Sequence, residues 1–130
     1  MIRGSCLCGA GGIEIDEPLE HAPEACHCHQ CRKQTGHFFV GLNVRRTALR
    51  IAGEENVRWF QSSEQVQRGF CGTCGSTLFW KPTIAGYAWT SVAMGCLDSE
   101  LKAKIAKHIF VADKGSYYEI DDGAPRSAGA

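Results

Sequence analysis

The sequence predicts a mainly β domain in which short antiparallel strands and one or two short helices are organised around two zinc ions. Three observations predict it. Seven of the eight cysteines fall into tight packets: Cys6 with Cys8, Cys26 with Cys28 and Cys31, and Cys71 with Cys74. Between the packets run short segments rich in aromatic and β-branched residues, the composition of strands. Glycines at 9, 11, 12, 36, 53, 72, 75 and 86 interrupt those segments at the close intervals expected of chain reversals.

In chain order, strands are predicted over 12–16, 38–44, 57–61, 65–70, 77–81 and 87–92. Residues 28–35 break the pattern: polar and unbranched, they suit about two helical turns closed by Gly36. A second helix is predicted from Asp98 or Ser99, a capping residue, with Glu100 in the first turn and Leu101, Ile105 and Ile109 at four-residue intervals. Strand-like pairs return at 109–111 and 117–120. The folded domain is expected to cover 1–122, with 123–130, small and polar, as a flexible tail.

At 130 residues and 44 % hydrophobic composition the chain fits one domain with a modest core. Fourteen basic residues balance fourteen acidic ones, so there is no electrostatic footprint for nucleic acid or an anionic membrane. The longest fairly apolar stretch, 84–94, falls well short of the ~18 residues of a membrane span. The first twelve residues carry one Arg and no apolar run of the kind a signal peptide needs. The expected compartment is therefore the cytoplasm, where dense cysteines read as metal binding or catalysis in preference to disulfides.

The spacings separate two kinds of site. In an extended strand Cys6 and Cys8 would point the same way and pinch one ion. Cys71-Gly72-Thr73-Cys74 followed by Gly75 is a zinc knuckle, which supplies the other half of a closed four-thiolate site whose role is folding. Cys26, Cys28 and Cys31 place three sulfurs within six residues and leave a fourth corner for water, a histidine or a substrate. A redox role competes for the Cys71 and Cys74 pair.

Other residues have plainer readings. His27 and His29 alternate with the cysteines and so point away from the metal if that segment is extended. His37 and His108 are candidates for the rim of the open site, and His21 reads as surface. Cys96 reads as a small buried residue, and Trp59, Trp80 and Trp89 as core. Arg32 and Lys33 follow the triad directly and are candidate contacts for an anionic thiol substrate.

Five segments together resemble one family: 4–9 (GSCLCG), 26–36 (CHCHQCRKQTG), 70–76 (FCGTCGS), 95–98 (GCLD) and 108–114 (HIFVADK). The chain resembles the glutathione-dependent formaldehyde-activating enzymes, which also include centromere protein V. The resemblance implies a fold of several small coiled antiparallel sheets, the β-tent, shared with a zinc-binding chaperone of small GTPases. It implies structural zinc on Cys6, Cys8, Cys71 and Cys74 and catalytic zinc on Cys26, Cys28 and Cys31. Cys96 and the Gly11-Gly12 pair depart from the family pattern without touching a ligand.

The function so implied is that of a carbon–sulfur lyase joining a glutathione-type thiol to a small carbonyl compound, as in S-(hydroxymethyl)glutathione synthesis. Two zinc ions per chain are its cofactors, and a small thiol such as glutathione its partner, with a homodimer as the candidate assembly. His29 or His108 would move the proton at the adduct oxygen. The competing readings are a non-enzymatic zinc scaffold or chaperone-like binding protein, and a thiol-based zinc or redox sensor.

Overall fold

Ten strands and one helix carry the chain, and the computed structural model describes all 130 residues. Strands β1 (Ile2–Ser5), β2 (Gly12–Ile15) and β5 (Leu49–Ala52) form a three-stranded sheet in the order β1-β2-β5. The remaining strands are β3 (Glu24–Cys26), β4 (Phe39–Arg45), β6 (Val57–Ser63), β7 (Val66–Cys71), β8 (Thr77–Pro82), β9 (Trp89–Ala93) and β10 (Lys107–Ile109). They form one long sheet in the order β10-β3-β4-β9-β8-β7-β6. The mainly β architecture expected from the glycine and strand pattern is thus present, and the six predicted strands match β2, β4, β6, β7, β8 and β9.

Alternation of buried and exposed residues explains how the sheets close on a core. Ile13 and Ile15 of β2 point inward with Ile2 of β1, while Leu42 and Val44 of β4 and Val92 of β9 meet Phe79 of β8. All sheet pairings are antiparallel except β10 with β3, where His108 lies opposite Ala25 and Ile109 opposite Cys26. Across the sheet Trp59 stacks on Phe79 with ring centroids 5.8 Å apart, a core role, whereas Trp80 borders a cavity described below.

Helix α1 (His29–Thr35) forms where the polar run predicted it. Cys28 caps it, its sulfur accepting the Cys31 N–H at 3.3 Å, and Gly36 ends it at φ +90°, a left-handed conformation that glycine adopts without strain. The second predicted helix is absent. Both backbone N–H groups of Asp98 and Ser99 donate to the Arg3 carbonyl, and the Ser99 hydroxyl accepts the Arg3 N–H, so the intended cap is spent clamping β1. Ile109, the last of the four-residue series, belongs to β10 instead.

Two smaller expectations also give way to context. Residues 117–120 form no strand, because Tyr118 turns inward to a hydrogen-bond chain. The tail, expected to be loose, runs beside β10: His108 N–H donates to the Pro125 carbonyl, Ser127 N–H to His108, and Phe110 N–H to Gly129. Backbone pairing, which composition does not reveal, places it there. No helix is long and apolar enough to cross a membrane.

Candidate functional site

The first cysteine cluster joins the two sheets. Cys6 and Cys8 lie in the loop between β1 and β2, not in an extended strand as the spacing suggested; the loop curls because Cys6 N–H donates to Gly11 and Gly9 N–H to Cys6. Cys71 ends β7, and a tight turn brings Cys74 back through the Gly75 N–H bond to the Cys71 carbonyl. All four sulfurs lie within 4.8 Å of one another, with Cys6 to Cys8 at 3.6 Å and Cys8 to Cys71 at 3.7 Å. A tetrahedron of metal–sulfur bonds of about 2.3 Å has edges of about 3.8 Å, so this donor set fits a zinc ion.

Backbone and side-chain donors already surround these sulfurs. Gly11 N–H points at Cys6 Sγ at 3.2 Å, and Thr73 N–H, Cys74 N–H and the Asn56 amide point at Cys71 Sγ at 3.3–3.4 Å. The Gly11 bond holds the Cys6 thiol below its ordinary range, and the Ser76 hydroxyl brings Cys74 down to about 5. Such bonds orient ligating atoms and stabilise the thiolate form.

The second cluster is built from one short segment. Cys26 ends β3, Cys28 caps α1 and Cys31 sits on the first turn of the helix, so the strand-to-helix corner turns all three sulfurs inward, again within 4.8 Å. These three can hold a metal ion from one side. The thiols divide unevenly: the Cys26 hydrogen bond and the Arg68 charge draw Cys31 down to about 6, while its bond to Cys31 and burial push Cys26 up. The cluster opens into a cavity of about 660 Å³ whose wall also carries Glu24, His29, Asn43, Arg68, Trp80 and Asp113.

Arg68 is a site residue that the sequence reading missed. It projects from β7, is 4 % exposed, and places both terminal nitrogens 3.6 Å from Cys31 Sγ. A signal existed: Val66, Arg68 and Phe70 share one face at two-residue spacing, so a charged residue stood in an apolar row.

Behind the cluster runs a chain of polar side chains. Asp122 Oδ2 meets His108 Nε2 at 2.8 Å, His108 Nδ1 meets His27 Nε2 at 2.8 Å, and His27 Nδ1 meets the Tyr118 hydroxyl at 2.6 Å. His27 is fully buried, pointing away from the sulfurs of its neighbours, and burial brings its pKa down to about 4. His108 is buried in this chain and does not border the cavity; His29 does, with its ring 3.7 Å from Asp113 Oδ1.

The remaining candidates lie outside the cavity wall. Arg32 donates through Nε and a terminal nitrogen to the Asp113 carbonyl, and Lys33 is exposed to solvent. Tyr117 engages His37 at 2.5 Å on the surface. Cys96 is buried and donates to the Thr77 carbonyl at 2.9 Å, and burial raises its thiol to about 11.

Comparison with known proteins agrees with this geometry. The family model of the glutathione-dependent formaldehyde-activating enzymes matches residues 1–113. An uncharacterized lyase of Schizosaccharomyces pombe is 33 % identical over 83 residues, 62 % of this chain, and the match spans 58 % of that relative's length. A crystal structure of a Rhodobacter sphaeroides protein superposes with a TM-score of 0.63 at 26 % identity, covering 77 % of this chain and 91 % of the other. With both cysteine clusters inside the matched span, the chain belongs to the family of glutathione-dependent formaldehyde-activating enzymes.

Proposed function

We propose that this protein is a zinc-dependent carbon–sulfur lyase that joins a glutathione-type thiol reversibly to a small carbonyl compound, as in the formation of S-(hydroxymethyl)glutathione. The observation that carries the reading is the three-cysteine cluster at the wall of a cavity of about 660 Å³, within the range of small-molecule sites. Cys6, Cys8, Cys71 and Cys74 would hold a closed structural zinc, and Cys26, Cys28 and Cys31 a second with one corner free for the guest sulfur. When bound, that second ion supplies Lewis acidity that keeps the guest sulfur as a thiolate.

The chain's own residues supply the rest. The cavity walls hold the thiol beside the carbonyl carbon and so convert an encounter into a positioned reaction. In synthesis the carbon–sulfur bond forms as the carbonyl π bond opens, and the oxygen that receives the electron pair takes a proton. We assign that proton to His29, which borders the cavity with Nδ1 3.0 Å from an Arg32 terminal nitrogen and Nε2 3.7 Å from Asp113. His108 is buried between His27 and Asp122 and does not border the cavity, which suits a supporting role. The free thiols and the thiol substrate both belong to a reducing compartment, and the cytoplasm is the location we assign.

Formaldehyde and thiols also combine unaided, so the test is the exchange rate. NMR exchange spectroscopy of glutathione with formaldehyde should show faster exchange with the zinc-loaded protein than without it. Cys28→Ser should return the rate to background while the fold persists. Equal rates with and without the wild-type protein would end the assignment for this substrate pair.

A further inference from the structure

The cavity contains a buried cation that pairs with no carboxylate of the protein. Arg68 is 4 % exposed and takes part in none of the ion pairs of the molecule. Its terminal nitrogens face only Cys31 Sγ, and its Nε is the one buried side-chain nitrogen or oxygen that lacks a hydrogen-bond partner. Of the carboxylates bordering the same cavity, Asp113 faces His29, and neither Glu24 nor the terminal carboxylate of Ala130 forms an ion pair. A guanidinium withdrawn from water costs several kcal/mol unless a charge inside the protein offsets it.

Charge counting identifies the offset. Three thiolates and one divalent ion sum to one negative charge, and a thiolate guest makes two, in a place where charge is poorly screened. One adjacent guanidinium halves that excess. We propose that Arg68 determines what the open corner accepts, making it a receptor for an anionic ligand, a thiolate above all, in preference to a neutral donor. The proposal rests on the reading of Cys26, Cys28 and Cys31 as a three-ligand metal site. It assigns Arg68 a selective role and not a purely structural one, since an apolar residue would fill the same place in β7 at lower cost.

The test uses protein loaded with cobalt(II), whose absorption reports each change of ligand; the four-cysteine site is saturated, so difference spectra isolate the open one. Three probes are titrated: 2-mercaptoethanol, which enters as a thiolate, azide, and neutral imidazole. Wild type should take the two anions more tightly than imidazole. Arg68→Met should weaken both anions by about tenfold or more while imidazole changes little, as removal of one adjacent positive charge requires. Arg68→Lys, which keeps the charge, should retain most of the preference for anions.

Equal weakening of all three probes in Arg68→Met, or no change in any, overturns the proposal. The unaltered spectrum of the four-cysteine site certifies that a variant is folded. Should neither variant fold, the wild-type series decides alone: azide above imidazole supports the proposal, and imidazole at or above azide overturns it. If guests bind without regard to charge, only the role of Arg68 falls; if no guest perturbs the spectrum, the open corner falls with it.

Discussion

Asp122 anchors a chain whose hydrogen bonds can all be satisfied at once. With Asp122 ionised and both imidazoles neutral, His108 donates from Nε2, its Nδ1 accepts from His27 Nε2, and His27 Nδ1 accepts the Tyr118 hydroxyl proton. Every atom is satisfied, and the segment between Cys26 and Cys28 is fixed from behind. The His108 bond holds the Asp122 carboxyl below its ordinary value of 3.8. A depressed carboxylate stabilises the fold above its unfolded value and loses that contribution as pH falls through the folded one. Asp122→Asn should therefore unfold at lower denaturant than wild type. The gap should stay constant from about pH 7 to about pH 5 and close only below about 3.8, whereas a gap that shrinks near neutrality would contradict this origin. None of this chain was legible beforehand, because its hydrogen-bonded partners lie up to 91 residues apart and become neighbours only through β10 and the turn after it.

At the level of elements, Gly41 shows how β4 shapes the cavity. It pairs with Glu24 on one side and Ala93 on the other, in the middle of the long sheet, and borders the cavity. A Cβ there would lie 2.1 Å from the Ser91 hydroxyl and 2.7 Å from the Phe39 ring. The hydroxyl can rotate away, but the buried ring cannot move without disturbing β4. Gly41→Ala should therefore destabilise the domain by about 1–3 kcal/mol, the usual cost of overpacking, measured by urea denaturation. A neutral result would mean that Phe39 repacks freely. Strands such as β4 were legible because a local pattern of apolar alternation meets a sheet that buries one face. The helix expected after Asp98 was not excluded by any local rule; it lost to β1, whose Arg3 carbonyl and N–H capture Asp98 and Ser99 from the other end of the chain. Likewise β10 is three residues long and pairs in parallel, a connection set by the whole sheet.

For the molecule as a whole, the two cysteine clusters differ in what they tie together. Cys6 and Cys8 come from the β1–β2 loop of the small sheet and Cys71 and Cys74 from the end of β7 in the long one, so a metal held there closes a loop of about half the chain. Cys26, Cys28 and Cys31 come from one corner, and a metal there closes almost nothing. The packets themselves were readable from spacing, as was their division into four and three, because ligand spacing is a local property. The global consequence comes from topology. Structural zinc contributes on the order of 10 kcal/mol in small domains, comparable with the whole stability of a chain this size. Cys71→Ser should therefore abolish cooperative unfolding and the near-ultraviolet circular dichroism. Cys28→Ser should keep both, with zinc content falling from two per chain to one. Graded chelation of the wild type should remove the corner metal first with the dichroism intact, then the second together with the fold. Simultaneous loss of both metals and the fold would mean that the corner cluster, and not the bridge between sheets, carries the structure.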